Sequence, residues 1–413
     1  MPIKLSPTRN LSDAHSYPPI RIIVVMSMMS ILLLMCRFSP SAILATSTPT
    51  FTETVTLTPT QTSTATPLPT ATFTITPSPT NTPTPTPRIY AQTSTPLPPG
   101  FAALDVTSAP FASGLIEWQQ SPLVDFKWHP NHNILAAGTS NAVVLIDPYN
   151  PDSPQTIFVG EGLSSFDISP DGKILISGHR YGTTPENYYG NVQVWLAPQY
   201  PRVAFFGELL PVNTVKFTPD GKVLAIALSS PIYEENKVEF RNALTYEVTS
   251  TLKTGTVLGI AFSPDGARLV SIPDRYSAKV WDVEKQKILY NLPTSFSGAI
   301  NCAAFSDDGN LLATGHYDGV INIWNAATGE KIRSFNTQAL VQSIAFSPNG
   351  QLLAAGLGYQ SSNIQLWSVN SGELLRTLEG HVRAVQFVSF SRNNSLLASA
   401  SYDGTIILWG IRP

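Results

Sequence analysis

Phe262-Ser-Pro-Asp-Gly266 is a tight-turn sequence that follows one alternating apolar strand and precedes another. Proline fixes φ at the first turn position, aspartate caps the turn, and glycine accepts a positive φ. Close copies recur along the chain, namely Ile168-Ser-Pro-Asp-Gly172, Phe217-Thr-Pro-Asp-Gly221, Phe305-Ser-Asp-Asp-Gly309 and Phe346-Ser-Pro-Asn-Gly350. Weaker copies follow Trp128 and Phe390. The repeated turn therefore predicts seven β-hairpin units of one kind.

The spacing of these units indicates how they assemble. Their first-strand residues lie at positions 128, 168, 217, 262, 305, 346 and 390, so neighbouring units are 40 to 49 residues apart. A second apolar strand follows each turn, and a third strand then ends in an aromatic or large apolar residue. These third-strand residues are Ile146, Trp195, Phe240, Trp281, Trp324, Trp367 and Trp409. This period is typical of propeller blades, so the sequence predicts an all-β, seven-bladed propeller.

Two dipeptides make a family resemblance specific. Val280-Trp281-Asp282 contains a Trp-Asp pair, and Gly380-His381 is a Gly-His pair in the place where such repeats carry one. With these features the region from about residue 115 onward resembles the WD-repeat propellers. In that family His, Ser, Asp and Trp side chains form a hydrogen-bonded network within the blade.

The last unit is the one most similar to the family pattern. The resemblance implies a structural, non-catalytic network of His381, Asp403, Trp409 and a serine, for which Ser399 and Ser401 are both candidates. This unit reaches Pro413 directly after its third strand, whereas Leu115-Ile-Glu-Trp118 precedes the first unit as an extra strand. In WD-repeat proteins an N-terminal strand commonly completes the last blade. Closing the ring in this way removes exposed sheet edges.

Residues 1–45 are predicted to form a signal peptide or membrane anchor. Ile22 to Cys36 carries no charge and follows Arg21. As a helix it would span roughly 22 Å, which is shorter than a bilayer core of roughly 30 Å and suits a signal-peptide core. Three outcomes stay open, namely cleavage near Ala42–Ala45, lipidation at Cys36, or retention as an anchor.

Residues 46–103 are predicted to be a disordered linker, which leaves residues 104–413 for the propeller. The stretch 46–100 contains 21 threonines and 12 prolines, with threonine at every even position from 46 to 66. Prolines remove ladder donors and there is no apolar face to bury, so an extended, flexible spacer is expected. A Thr/Pro spacer after a secretion-type segment predicts a protein exported to the cell surface or outside the cell, in the bacterial manner.

Charge and motifs limit the function. Of the 25 basic and 28 acidic residues in the chain, 20 and 26 lie beyond residue 100, giving that region a net charge of −6. An acidic domain is a poor partner for nucleic acid, whose phosphates require a basic face. No metal-binding, cofactor-binding or hydrolase motif stands out. We therefore expect a monomeric, non-enzymatic protein without cofactor, which meets membranes only through its N-terminal segment.

The lengthened turns between second and third strands are the predicted binding site. Loops on a rigid scaffold are where recognition tends to reside, and tyrosine suits interfaces. Every unit except the first carries tyrosine in or beside this turn: Tyr181, Tyr188, Tyr189, Tyr233, Tyr276, Tyr317, Tyr359 and Tyr402. The family topology implies that these turns share a rim with the connections between blades.

The sequence thus favours a non-catalytic interaction scaffold that binds a protein or peptide on this rim. The alternative is a secreted propeller enzyme, a hydrolase or lyase, or a glycan-binding protein that uses the mouth of the central channel. Acid–base residues clustered at the channel mouth would favour an enzyme, and paired aromatic side chains in a groove would favour glycan binding.

Overall fold

A computed structural model describes residues 103–119, 123–150, 153–182, 187–230, 235–272, 277–294 and 298–410. The segment expected to be a signal or anchor, 1–45, lies outside these residues, and so does the linker predicted for 46–103 except for its last residue. The described ranges contain 28 β-strands and one three-residue 3-10 helix, Ala109–Phe111. None of the helical structure in these ranges has the length and hydropathy that a bilayer span requires.

The strands form seven four-stranded antiparallel sheets, the blades. Blades 1 and 2 contain β2 (Asp125–Trp128), β3 (Leu135–Gly138), β4 (Ala142–Ile146), β5 (Gln155–Phe158), β6 (Leu163–Ile168), β7 (Ile174–Tyr181), β8 (Tyr189–Leu196) and β9 (Arg202–Glu208). Blades 3 and 4 contain β10 (Val212–Phe217), β11 (Val223–Leu228), β12 (Lys237–Asn242), β13 (Val248–Lys253), β14 (Gly259–Phe262), β15 (Arg268–Ile272), β16 (Ser277–Asp282) and β17 (Lys287–Pro293).

The remaining three blades follow the same order. Blades 5 and 6 contain β18 (Ile300–Phe305), β19 (Leu311–His316), β20 (Val320–Asn325), β21 (Lys331–Asn336), β22 (Leu340–Phe346), β23 (Leu352–Gly358), β24 (Ile364–Ser368) and β25 (Leu374–Leu378). Blade 7 contains β26 (Val385–Phe390), β27 (Leu397–Ser401), β28 (Thr405–Gly410) and, as its fourth strand, β1 (Ser113–Gln119).

The predicted units match the blades closely. Each predicted first-strand residue, from Trp128 to Phe390, is the last residue of the first strand of its blade. Each predicted third-strand residue lies in the third strand and is buried. The sequence prediction of an all-β, seven-bladed propeller is therefore confirmed.

The hairpin turn is held by a hydroxyl group as well as by the residues that the sequence singled out. In blade 4 the Ser263 hydroxyl donates to Asp265 Oδ1 and accepts the backbone N–H of Arg268 at 2.9 Å. Gly266 has a φ of +71° and so occupies the left-handed region. The same serine or threonine contact recurs in the other turns of this type, including Ser169 in blade 2.

Seven hydrophobic clusters lie between neighbouring blades, one at each interface. First strands of adjacent blades contact one another around the whole circle, including β26 with β2. Fourth strands such as β9 alternate between exposed and partly buried residues and form the outside. The first strands therefore line the central channel.

The ring closes through the N-terminal strand. β1 pairs antiparallel with β28, from Ser113 opposite Gly410 to Gln119 opposite Thr405. Leu115 is buried in the cluster that joins blades 7 and 1. The expectation that a strand ahead of the first unit completes the last blade is thus confirmed in the structure.

A short segment ahead of β1 also packs on the ring, which the sequence did not predict. Leu104 is fully buried among side chains of blades 6 and 7. Its backbone N–H donates to Asn394 O at 2.7 Å, and Asn394 Nδ2 donates to Leu104 O at 2.6 Å. The chain therefore meets the propeller before its first strand begins.

Candidate functional site

The predicted binding surface lies on one end of the propeller, here called the upper rim. It comprises the turns between second and third strands and the connections between successive blades. The two kinds of segment touch: the backbone N–H of Tyr317 donates to Ala299 O, and that of Tyr402 donates to Ala384 O. In these described segments, turns and connections therefore lie on the same end of the propeller, as the family topology implied.

The tyrosines of blade 2 form a stack at the edge of this rim. Tyr181 and Tyr189 are paired residues of β7 and β8, and their rings lie 5.2 Å apart with an interplanar angle of 24°. Tyr181 also stacks on His179, with centroids 6.1 Å apart. Tyr181 is half-buried, whereas 53% of Tyr189 is exposed. Tyr189 is thus the blade 2 tyrosine that a partner could contact.

Tyr188 differs from the expectation for a binding residue. Its side chain is buried, with an exposed fraction of 9%. The ring lies beside Gly182, where an added Cβ would come within 3.0 Å of Tyr188 Cδ1. Gly182 has a φ of +103°, which a side chain would disfavour. Tyr188 therefore packs against Gly182 instead of presenting its ring at the surface.

The remaining tyrosines fall into three groups. Tyr359 is well exposed, with 74% of its surface accessible. Tyr317 and Tyr402 are half-buried. Tyr233 and Tyr276 lie outside the described residues. The structure thus leaves Tyr189 and Tyr359 as the best-exposed tyrosines in the described part of the rim.

The predicted network of blade 7 is assembled in full. His381 Nε2 and Trp409 Nε1 each lie 2.7 Å from Ser399 Oγ. Asp403 Oδ2 lies 3.3 Å from His381 Nδ1, and all four groups are largely buried. Burial opposes the charge of Asp403, but its hydrogen bonds with His381 and Thr405 lower its pKa well below the usual value. The serine is Ser399, because Ser401 instead donates to Arg383 O.

The sequence missed one member of this network. Thr405 Oγ1 donates to Asp403 Oδ1 at 2.6 Å and lies 2.7 Å from His381 Nδ1. It therefore bridges the carboxylate and the imidazole. The only available signal was its position two residues after Asp403, at the start of the third strand.

Blades 2 and 5 form a similar network in which the histidine comes from the second strand of the blade. His179 and His316 lie at or near the ends of second strands, not in the connection ahead of the blade. His316 Nε2 lies 2.9 Å from Thr314 Oγ1, which accepts the indole N–H of Trp324 at 2.9 Å. Burial lowers the pKa of both histidines, which favours the neutral form of each. The second-strand histidines are therefore structural.

A charged cluster in the channel wall joins blades 1 to 3. Lys127 Nζ donates to Asp167 Oδ1 at 2.8 Å and lies 3.9 Å from Asp125. Asp125 Oδ2 accepts the backbone N–H of Phe166 of the next blade at 3.0 Å. Burial acts to raise the pKa of Asp125, but the charges of Lys127 and Lys216 lower it below its usual value. The cluster binds neighbouring first strands together.

Sequence reasoning missed this cluster, although a signal was present. Lys127, Asp167 and Lys216 each stand one position before the first-strand residue of their unit. The corresponding positions of the next three blades hold Ala261, Ala304 and Ala345. Aligning the units with one another therefore indicates a channel wall with charged side chains on one side and small apolar side chains on the other.

No metal centre is assembled in the described ranges, which contain no group of three or more His, Cys, Asp or Glu side chains suited to hold an ion. His129 and His132 lie with ring centroids 4.9 Å apart in the first hairpin turn. His129 Nδ1 accepts the backbone N–H of Asn131 at 3.2 Å. Burial lowers the pKa of His129, as does the nearby His132.

Comparison with known proteins agrees with this architecture. The family model "WD domain, G-beta repeat" matches residues 286–325, 329–368 and 372–410. A solved structure, "Crystal Structure of Mitotic Checkpoint Complex", superposes with a TM-score of 0.62 at 19% identity and covers 77% of this chain and 95% of that one. The chain is therefore an all-β, seven-bladed propeller with WD40 repeats.

Several curated proteins are similar in sequence. Periodic tryptophan protein 2 of Saccharomyces cerevisiae is 32% identical over 206 residues, which is 49% of this chain and 22% of the relative. Small ribosomal subunit protein RACK1y of Oryza sativa subsp. japonica is 29% identical over 38% of this chain and 48% of its own. Protein FIZZY-RELATED 3 of Arabidopsis thaliana is 24% identical over 68% and 57%, respectively. The matches thus span less than two thirds of each relative, and together they support the WD-repeat propeller family.

Proposed function

We propose that this chain is an exported, non-catalytic interaction scaffold that binds a protein or peptide partner through its upper rim. The observation that carries the proposal is the exposure of large apolar side chains on that rim. Tyr189, Leu209, Tyr359 and Val382 are all more than half exposed. Tyr189 begins a strand next to a turn, and the other three stand on turns and connections of the closed ring. Exposed apolar groups on a rigid scaffold are typical of recognition surfaces.

The kinship with WD-repeat proteins supports a binding role. One relative is named as a protein of the small ribosomal subunit. The matched family model describes a repeat domain, and no enzyme family is indicated by it. The carboxylates of the channel wall in the described part of the chain accept backbone N–H groups of neighbouring blades. This bonding favours a structural role for these carboxylates over a catalytic one.

The exported location rests on the sequence. The uncharged stretch from Ile22 to Cys36 and the Thr/Pro-rich stretch that follows it are the features of a secreted or surface-attached protein. In this proposal the spacer holds the propeller away from the cell surface, and the rim faces the surroundings.

Site-specific photo-crosslinking in the native host tests the rim. A photoreactive amino acid replaces Tyr189 or Tyr359 in the full-length protein, and a matched control replaces Asn310, an exposed residue of a hairpin turn on the opposite end. We expect a discrete protein adduct from the two rim positions and none from Asn310. Equal labelling from all three positions, or none, would contradict rim binding.

Protease treatment of intact cells tests the location separately. We expect the propeller to be released or digested by protease added outside the cell, or to be found in the medium. Complete protection in intact cells, with digestion only after lysis, would contradict export and leave the rim experiment unaffected.

A further inference from the structure

A pocket opens on the upper rim between blades 6 and 7. Its volume is about 410 Å³, and it is lined by residues 359–363 of the β23–β24 turn and residues 382–384 of the connection from β25 to β26. Both segments belong to the upper rim. The pocket therefore lies on the surface to which the proposed function assigns partner binding, and the inference below rests on that proposal.

The pocket is polar and carries one positive charge. Its turn side offers amide and hydroxyl groups from Gln360 to Asn363, and its other side carries Arg383, which is an exposed residue. No carboxylate lines it. Among the ion pairs of the described residues, none involves Arg383. Asp403 is the acidic group held next to this connection, and its carboxylate is occupied by His381, Thr405 and a backbone N–H.

Two apolar side chains stand at the same pocket. Tyr359 and Val382 are 74% and 63% exposed and line it from opposite segments. Tyr359 has a φ of +68°, a left-handed conformation that is strained for a residue other than glycine. Such strain persists only where the surroundings fix the backbone, and strained residues of this kind cluster at binding sites.

The pocket walls are fixed in advance of any ligand. The backbone N–H of Val382 donates to Asp403 Oδ2 at 2.8 Å, and Arg383 O accepts the Ser401 hydroxyl at 3.0 Å. On the other side the N–H of Leu357 donates to Asn363 O at 3.0 Å. The network of blade 7 therefore supports the wall that carries Arg383. Because the backbone of the pocket is already held in place, little of its conformational entropy is lost when a ligand binds.

We propose that this pocket binds an acidic segment of a protein partner. A glutamate or aspartate carboxylate of the segment pairs with the Arg383 guanidinium, and an adjacent apolar side chain packs against Tyr359 and Val382. The hydroxyl and amide groups at residues 360–363 bind the polar backbone of the segment. Charge complementarity selects the acid, because Arg383 is the unpaired charge of the pocket and arginine matches carboxylate geometry.

A displayed library of short random peptides tests the proposal on the full-length protein. We expect selected peptides to be enriched in aspartate or glutamate beside an apolar residue. The affinity of a selected peptide should fall about tenfold or more in Arg383→Glu, and by a similar factor in Tyr359→Ala. Arg376→Glu, which reverses an exposed arginine on β25, is the matched control and should bind like the wild type. The affinity for the wild type should also weaken as salt is raised.

Unchanged melting temperatures of the variants confirm that the fold is intact. Selected peptides without acidic enrichment, peptides that bind Arg383→Glu as tightly as the wild type, or a library without binders would each overturn the proposal. The photo-crosslinking at Tyr189 separates this result from the proposed function. A rim adduct that survives Arg383→Glu leaves the scaffold intact and removes this pocket from it.

Discussion

Trp409 and Ser399 are joined by a 2.7 Å hydrogen bond from the indole Nε1 to the hydroxyl oxygen. Blades 2, 4 and 5 repeat this bond with Ser177, Ser271 and Thr314. Blade 6 does not. Trp367 occupies the same position, but its Nε1 is buried without a partner. The residue of β23 that would supply the hydroxyl is Ala355, by the pairing of β23 with β24.

Ala355→Ser should therefore stabilise the protein. The new hydroxyl satisfies the buried indole N–H, and a hydrogen bond of this kind contributes about 1 kcal/mol to the free energy of unfolding. Equilibrium unfolding in denaturant measures the change. The matched control is Ala354→Ser, which places a hydroxyl on the opposite, apolar side of the same strand and should destabilise by about 1 kcal/mol. Equal effects of the two substitutions would contradict the assignment.

The closing strand gives a second prediction. Leu115 is buried between blades 7 and 1, and its Cδ1 lies against Gly410, where an added Cβ would come within 2.8 Å of it. Leu115→Ala leaves a cavity at the point where the ring closes and should cost about 2–4 kcal/mol. Phe158→Ala removes a larger side chain that is 73% exposed, and it should change little. A melting temperature lowered by the second variant as much as by the first would contradict closure through β1.

The sequence was sufficient for the fold because the same chemistry is repeated in most units. Six of the seven hairpin turns contain a residue with positive φ, namely Gly172, Gly221, Gly266, Gly309, Gly350 and Asn394, so the strand ends and the number of blades could be predicted. The network of blade 7 also followed from its resemblance to the family. Ser399 and Ser401 lie two residues apart on β27 and therefore share one face of the strand. The choice between them depends on which of the two the Trp409 indole reaches, which follows from the pairing of Leu397 with Trp409 and not from a local sequence pattern.

The site was less predictable because exposure depends on how a turn folds. Tyr188 and Tyr189 are adjacent in the sequence, yet one is buried and the other is exposed. The pocket at Arg383 brings together segments separated by some twenty residues, and no local pattern marks it. The charges at Lys127 and Asp167 were visible, but their hydrogen bonds to the next blade depend on the ring.

A buried carboxylate predicts a pH dependence of stability. Glu208 Oε1 accepts a 2.7 Å hydrogen bond from Arg241, which also pairs with Glu239 at 2.7 Å. Burial and the charge of Glu239 nevertheless raise the pKa of Glu208 to about 7 from its usual 4.5. Between pH 4.5 and pH 7, Glu208 is therefore protonated in the folded protein and ionised in the unfolded chain. The stability from this group is greatest below pH 4.5 and is lost as the pH rises to 7.

Glu208→Gln should remove this dependence. Between pH 5 and pH 8 the wild type should lose about 2 kcal/mol relative to the variant, which keeps an acceptor for Arg241. Denaturant unfolding at the two pH values measures the difference. Glu373→Gln changes an exposed carboxylate and should behave like the wild type. Parallel pH profiles for Glu208→Gln and the wild type would show that Glu208 is ionised throughout.

The thiol of Cys302 gives the last prediction. It lies in β18 of the channel wall, 3.9 Å from Val341 O, and burial raises its pKa to about 12. The thiolate is the reactive form, so alkylation at pH 8 should be on the order of a thousandfold slower in the folded than in the unfolded protein. Mass spectrometry of the labelled peptide measures the rate at Cys302 independently of Cys36. Asn310→Cys supplies an exposed thiol as an internal standard. Labelling of Cys302 at the rate of that standard would show that the channel wall admits the reagent and that the thiol ionises there.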